Sequence, residues 1–186
     1  QGFKEVDWDG KTVWEYTEGR AGYAPHHDWV RIQNKALGAP TTFYIANRSI
    51  THEQAIAAGA DPARGPYRDG QMDAIVEVDM SGNVVWEWSF WDHAVHSIDN
   101  TKANYVTNIA NYPGKIDLNL PGRPLRANWL DCNSLDYNQS LDRIVVDSRQ
   151  GEFYIIDHGN TFLTGNPTGS IALAASATGD FLYRFG

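Results

Sequence analysis

The feature that most constrains this chain is an internal repeat. Residues 5–16 return as residues 77–88, an offset of 72 residues. Each copy has β-branched and aromatic residues on both sides of an Asp-Gly or Ser-Gly pair, which is the pattern of a β-hairpin with a tight turn. A third, altered copy covers residues 152–157 and resumes at residues 179–185, with a loop rich in Gly, Thr, Ala and Ser expected between its strands. The repeat predicts an all-β fold.

Further strand pairs between these hairpins complete units of four antiparallel strands. One unit covers residues 27–89, a second covers residues 130–185, and residues 3–16 form half of a preceding unit. A short helix at residues 51–59, capped by a threonine and ended by a glycine, interrupts the first unit. Residues 93–128 are expected to form a long irregular loop. Repeated four-stranded sheets indicate β-propeller blades.

We therefore predict that residues 1–186 are part of a single β-propeller domain, with about two and a half blades in this chain. Two and a half blades cannot close a ring, so the chain is expected to be a piece of a larger propeller. The remainder of the propeller or a neighbouring subunit would cover the open blade faces. Trp14, Trp86 and Trp88 are expected to pack between blades. The alternative is a small open β-sheet domain.

Composition and charge exclude several classes of protein. Acidic residues number 23 and basic residues 15, giving a net charge of −8, and no run of Lys or Arg occurs. A nucleic-acid surface needs clustered positive charge, so no nucleic-acid partner is expected. No stretch of about 18 apolar residues exists, so no membrane span is expected. With Cys132 as the one cysteine, no intrachain disulfide can form.

Two groups of residues could carry chemistry. His26 and His27 stand before a predicted inner strand, and such positions line the mouth of a propeller channel. Asn133 begins one strand of a predicted antiparallel pair and Arg149 ends the other, so both side chains reach the same place. Arginine and asparagine donors suit a tetrahedral oxyanion such as sulfate or phosphate. Alternatively, Arg149 pairs with a carboxylate such as Asp147 or Glu152, and the histidines are structural.

A second histidine pair and the cysteine carry weaker signals. His93 and His96 have a spacing that suits metal ligation, but no clear helix or third ligand accompanies them, so no metal site is predicted there. Cys132 is expected to be a buried apolar group and not a nucleophile. No cofactor is expected.

The order and spacing of these segments resemble the bacterial arylsulfate sulfotransferase family. The resemblance spans nearly the whole chain. It rests on residues 26–28, 73–79 with 85–88, 91–93, 133–138, 148–149 and 182–186.

The resemblance implies a six-bladed β-propeller that moves a sulfuryl group from an aryl sulfate to a phenol through a sulfated histidine. At the matching positions, His27 would be the acid–base or sulfate-contacting histidine, and Asn133 and Arg149 would donate to the sulfuryl oxygens. His26, Asp131 and His93 are expected to contact the substrate. The partner would be a small aromatic sulfate or another anion, and the compartment periplasmic or secreted.

Two departures from the family pattern bear on activity. Asp131 stands where the family has a histidine, and its carboxylate would repel a sulfuryl anion unless it is protonated or paired with a cation. The family's nucleophilic histidine lies beyond the segment that ends at Gly186, so no residue of this chain is expected to take that role. The alternative function is a non-catalytic propeller that binds a ligand or a protein as an accessory subunit.

Overall fold

The computed structural model describes residues 1–64, 70–120 and 129–186. Strands dominate these residues, and the two α-helices are short. In chain order the elements are β1 (Gly2–Val6), β2 (Thr12–Thr17), β3 (Tyr23–Asn34), β4 (Ala39–Ile50), α1 (His52–Ala57), β5 (Gly70–Asp79), β6 (Val84–Ser89), β7 (Ala94–Val95), β8 (Ile116–Asp117), β9 (Cys132–Asn138), β10 (Arg143–Ser148), β11 (Glu152–Asp157), α2 (Pro167–Ala174) and β12 (Tyr183–Phe185).

The strands form two four-stranded antiparallel sheets. The first has the order β3-β4-β5-β6 and the second has the order β9-β10-β11-β12. Strands β1 and β2 form a separate antiparallel hairpin, and β7 and β8 form a short parallel pair. The predicted all-β class and the predicted four-stranded units are thus confirmed.

The two clear copies of the repeat have the same structure. Both are hairpins whose register shifts at the same position of the repeat. In each turn an aspartate carboxylate, from Asp7 or Asp79, accepts backbone N–H groups two and four residues on. Gly10 and Gly82 have φ angles of +79° and +83°, which only glycine adopts at little cost. The repeat in sequence is therefore a repeat of one turn geometry.

The first sheet is buried on both faces. On β4, Tyr44 and Ala46 face a cluster that contains Trp14 and Tyr16 of the β1–β2 hairpin. Their neighbour Phe43 belongs to the larger core that the two four-stranded sheets share. Because successive side chains of a strand point to opposite faces, this one strand contributes to both cores.

Tryptophans of β6 join the first sheet to the connection between β11 and β12. Trp86 donates its indole N–H to Thr161 Oγ1 at 2.9 Å. Trp88 donates to the backbone oxygen of Gly179 at 2.6 Å. Both side chains are fully buried, so each brings a large apolar surface into the interface and satisfies its one polar atom there.

The connection between β11 and β12 differs from the expected loop. It contains helix α2, which lies against β6. The Asn166 side chain accepts from the backbone N–H of Gly169, and Pro167 begins the helix, where its missing N–H costs nothing. The sequence predicted a loop here because the segment is rich in Gly, Thr, Ala and Ser. Helix α1 was expected, and Thr51 caps it as predicted.

The excursion after β6 is mostly irregular in its described part. Residues 93–120 hold β7, β8 and a 3₁₀ turn at Ile109–Asn111. The rest of the predicted loop, residues 121–128, lies outside the described residues. No helix in the described chain has the length and apolar character to cross a membrane. On the second sheet, Val145, Tyr183 and Phe185 leave apolar surface exposed.

Candidate functional site

A bulge in β3 creates the candidate site. Pro25 pairs with Ala46 and Trp29 pairs with Tyr44, so four steps along β3 match two steps along β4. The residues in the bulge are His26, His27 and Asp28. The two histidines were predicted to precede the strand; they lie inside it instead, because β3 begins at Tyr23 and continues through the bulge.

Asp28 ties the bulge to the second sheet. Its Oδ2 atom accepts the backbone N–H of Leu135 on β9 at 3.0 Å, and its Oδ1 atom accepts the N–H of Trp29. Both β3 and β9 are edge strands of their sheets. The carboxylate satisfies a backbone donor on an edge that would otherwise lack a partner, and it fixes the separation of the two edges.

His27 and Arg149 meet at Asp131. His27 Nε2 lies 3.3 Å from Asp131 Oδ1, and Arg149 Nη1 donates to Asp131 Oδ2 at 2.9 Å. Hydrogen bonding by the Arg149 guanidinium holds the pKa of the Asp131 carboxyl below its ordinary value, against the opposing effect of burial. Asp131 is therefore an ionised carboxylate paired with a cation. The sequence analysis expected a carboxylate here to repel an anion unless it had such a partner.

The backbone at this meeting point is unusual. His27 and Asp131 both have φ of +54°, in the left-handed region. Non-glycine residues adopt this region rarely, and when they do they are often Asn, Asp or His. Strained residues persist where the surrounding structure holds them, and they cluster at functional sites. The contact between two such residues, His27 in the first sheet and Asp131 beside the second, makes this point a candidate functional site.

Asn133 and Arg149 are brought together as the strand pattern predicted. Ser148 pairs with Cys132, and the Arg149 backbone N–H donates to the Asp131 oxygen at 3.1 Å. The Asn133 amide donates to the same backbone oxygen at 2.8 Å.

The carboxylate that binds Arg149 is neither of the two weighed from the sequence. Asp147 accepts the backbone N–H groups of Asn133 and Ser134, and Glu152 accepts from Arg184. The Arg149 side chain is 73% exposed. Within the described residues it donates to Asp131 alone, which leaves most of its five N–H donors toward solvent.

Behind His26 lies a buried carboxylate that the sequence analysis did not single out. His26 Nε2 is 3.0 Å from Asp73 Oδ1, although not in line for a hydrogen bond. Asp73 is 1% exposed, and its Oδ2 atom has no hydrogen-bond partner in the described structure. Its Oδ1 atom accepts the backbone N–H of Cys132 at 3.3 Å. The position of Asp73 among apolar residues of β5 was the available signal, since carboxylates are rarely buried without a role.

A depression of about 420 Å³ opens beside the two histidines. Phe3 and Trp29 form its aromatic wall, with ring centroids 5.5 Å apart. Phe3 is backed by Tyr44 at 5.2 Å, so the wall is held by the core below it. Neither aromatic residue was a predicted site residue, because Phe3 comes from the separate hairpin and nothing in the sequence joins it to β3.

His26, His27 and Asp131 also form a group with metal-ligand chemistry. One atom from each lies within 4.8 Å of the others, and the described part of the chain holds no second group of this kind. The sequence had considered His93 with His96 for such a site and had predicted none.

His93 does not join the site. Its side chain is fully buried, with Nδ1 2.8 Å from Asp180 Oδ1 and Nε2 2.9 Å from the backbone oxygen of Ala174. The ring also stacks on Trp88. Burial lowers the pKa of His93, although the hydrogen bond to Asp180 opposes the change. Both ring nitrogens are thus occupied inside the protein.

Cys132 is fully buried, as expected, and burial together with nearby Asp73 raises the pKa of its thiol well above the ordinary value. The reactive form of cysteine is the thiolate, so this residue is not a nucleophile here.

Comparison with known proteins identifies the family. A family model described as Arylsulfotransferase (ASST) matches residues 1–163 of the 186-residue chain. A comparison with curated proteins finds no match. The matched segment contains the β3 bulge, Asp131, Asn133 and Arg149, which the fold gathers at one point. The chain therefore belongs to the arylsulfotransferase (ASST) family.

Proposed function

We propose that this chain is part of an enzyme that transfers a sulfuryl group from an aryl sulfate to a phenol. The observation that carries the proposal is the exposed Arg149 guanidinium, held by Asp131 beside His27 within the segment that matches the family. An exposed, oriented arginine presents a fork of donors that suits the oxygens of a sulfuryl group.

The roles follow from the chemistry of the side chains. Arg149 would bind the sulfuryl oxygens with its remaining N–H groups. The Asn133 amide has two N–H donors and gives one to the Asp131 backbone oxygen, so the other is available to an anion. Asp131 would not touch the anion. Instead it would hold the guanidinium and the imidazole in place and balance the arginine charge.

The transfer would proceed in two balanced steps. A histidine nitrogen attacks sulfur, an N–S bond forms, the S–O bond to the aryl group breaks, and His27 gives its proton to the departing phenolate. A phenol then gives its proton to His27, its oxygen attacks sulfur, and the N–S bond breaks. By the family resemblance, the nucleophilic histidine would be a residue outside these 186 residues.

Positioning and charge would supply most of the rate. Sulfuryl transfer resembles phosphoryl transfer in having a loose transition state with charge spread over oxygens. Fixed donors directed at those oxygens stabilise the transition state without reorganising. His27 is 44% exposed on its side chain, so its imidazole can reach a substrate. The aromatic wall of Phe3 and Trp29 beside it would take the aryl ring.

The two sheets would be blades of a propeller, with the β1–β2 hairpin as the outer half of a preceding blade. Supporting this proposal, hairpin and sheets stack face to face and the edge strands β3 and β9 meet at the candidate site. Further blades or a neighbouring subunit would cover the exposed Val145, Tyr183 and Phe185. The family suggests a periplasmic or secreted location.

The proposal is tested by binding and by turnover. Calorimetric titration of the chain with phenyl sulfate should show binding that Arg149→Ala weakens by about 10- to 100-fold, because charged hydrogen bonds are lost. Arg143→Ala, an exposed arginine at the other end of β10, is the matched control and should leave the affinity unchanged.

In a protein that also carries the nucleophilic histidine, release of nitrophenolate from p-nitrophenyl sulfate should require a phenol acceptor and should fail in Arg149→Ala. Binding without turnover in that protein would favour the accessory binding role. Equal affinities in Arg149→Ala and Arg143→Ala would refute the anion site itself.

A further inference from the structure

His26, His27 and Asp131 already have the spacing of a metal site. Zinc binds imidazole nitrogen and carboxylate oxygen at about 2.0–2.2 Å, so neighbouring ligands of a tetrahedral ion lie about 3.4 Å apart. His27 Nε2 and Asp131 Oδ1 are 3.3 Å apart. The His26 ligand atom lies within 4.8 Å of both, so a small side-chain adjustment would complete the set.

The groups next to these three side chains also favour a metal site. Asp131 gives Oδ1 to the His27 side and keeps Oδ2 for Arg149, so the oxygen facing His27 can serve as a ligand. Behind His26, Asp73 Oδ1 approaches the ring at 3.0 Å. A carboxylate 3.0 Å from a ligating imidazole adds negative charge that favours a bound cation.

Buried polar atoms without partners provide an independent observation. His26 Nε2 and Asp73 Oδ2 are both buried, and neither has a hydrogen bond in the described structure. Buried polar groups are nearly always satisfied, and exceptions call for an explanation such as an ion. Asp73 is 1% exposed and its Oδ1 atom lies 3.0 Å from His26 Nε2, so the two unpartnered atoms belong to residues that lie side by side at the proposed site.

We propose that His26, His27 and Asp131 bind a divalent transition-metal ion of the zinc class. Two imidazoles and one carboxylate favour zinc and its neighbours over calcium or magnesium, which prefer oxygen ligands. His26 and His27 line the depression beside Phe3 and Trp29, so a water or ligand from that depression would complete the coordination. The ion takes the nitrogen lone pair of His27, so a metal-bound site cannot also hold the His27 proton. The metal site does not depend on the proposed sulfuryl transfer. If that transfer occurs, a bound metal would inhibit it.

The experiment is a titration of the chain with Zn²⁺ by calorimetry and with Co²⁺ by visible absorbance. One ion should bind, and Co²⁺ should give the intense bands of a tetrahedral site. His26→Gln and Asp131→Asn should each weaken binding by at least about tenfold, in the range that loss of site partners costs. His52→Gln, an exposed histidine on α1, is the control and should not change the affinity.

Arg149→Ala separates this inference from the proposed function. Its positive charge lies next to the ion's carboxylate ligand, so its removal should tighten Zn²⁺ binding by about tenfold. The same variant should weaken phenyl sulfate binding. If only the anion-site proposal is wrong, Arg149→Ala should leave phenyl sulfate binding unchanged and should still tighten Zn²⁺ binding.

The inference is overturned if Zn²⁺ does not bind to the chain. It is also overturned if His26→Gln, Asp131→Asn and His52→Gln have equal affinity for Zn²⁺, or if Arg149→Ala weakens Zn²⁺ binding.

Discussion

His158 should make the stability of this fold depend on pH. Its imidazole lies between two carboxylates, with Nε2 3.0 Å from Glu77 Oε2 and Nδ1 2.6 Å from Asp142 Oδ1. The side chain is 1% exposed and is surrounded by aromatic rings. Burial alone would lower the pKa of His158, but hydrogen bonds to Asp142 and Glu77 outweigh it and raise the pKa to about 9.

The sign and size of the effect follow from this shift. The folded protein keeps the His158 proton to a higher pH than the unfolded chain, whose histidine has the ordinary pKa of 6.5. The stabilisation is therefore complete below about pH 6.5 and is lost as the pH rises through 9. A difference of about 2.5 pKa units corresponds to about 3 kcal/mol of unfolding free energy.

The assay is urea unfolding at intervals from pH 6 to pH 10, in the native chain and in His158→Gln. We expect the native free energy of unfolding to fall by about 3 kcal/mol more than that of the variant over this range. Other titrating groups are common to both proteins, so they cancel in the difference. Parallel pH profiles for the two proteins would refute the reasoning.

Asp142→Asn provides a second test if His158→Gln does not fold. Asp142 has a φ of +53°, which asparagine tolerates well, so the backbone should be unaffected. Removing this carboxylate should lower the pKa of His158 and move the loss of stability toward neutral pH. An unchanged midpoint would contradict the assignment.

Three further predictions concern other parts of the molecule. Asp131→His removes a negative charge beside Arg149 and should tighten sulfate binding in calorimetry by about tenfold, whereas Asp136→His, an exposed control on β9, should not; weaker binding would refute the argument that the Asp131 charge repels the anion. Gly59→Ala should destabilise the fold by about 2–4 kcal/mol in urea unfolding, because Gly59 has a φ of +99° and an added Cβ would lie 2.1 Å from His96 Nε2; an unchanged midpoint would contradict this. Cys132 should resist a thiol reagent in the native protein and react after unfolding, since its thiol is buried and its pKa is raised; rapid native labelling would disprove it.

Sequence reasoning succeeded where the determining information is local. The repeat predicted hairpins because each copy carries its own turn residues and its own alternation of apolar side chains. The proximity of Asn133 and Arg149 followed from antiparallel pairing, since the start of one strand lies beside the end of the next. Both predictions needed only neighbouring strands.

It failed where contacts join distant segments. Glu77 and His158 are 81 residues apart and pair only because the two sheets stack. Helix α2 was missed because the segment after its Asn166 cap has a composition typical of loops and its packing partner, β6, is distant in sequence. It also failed within one strand pair, where a one-residue shift between β9 and β10 directs Asp147 to backbone donors and leaves Asp131, beside the start of β9, as the partner of Arg149.

The β3 bulge has a consequence for how such a site can arise or disappear. It adds two residues, and an even number leaves the alternation of faces on either side unchanged: Pro25 and Trp29 still point to the side of Ala46 and Tyr44. Excising two residues would restore an ordinary ladder without turning any core side chain toward water. The candidate site and the hydrophobic pattern of this strand can therefore evolve separately, so relatives with a straight β3 would keep the scaffold and lack the site.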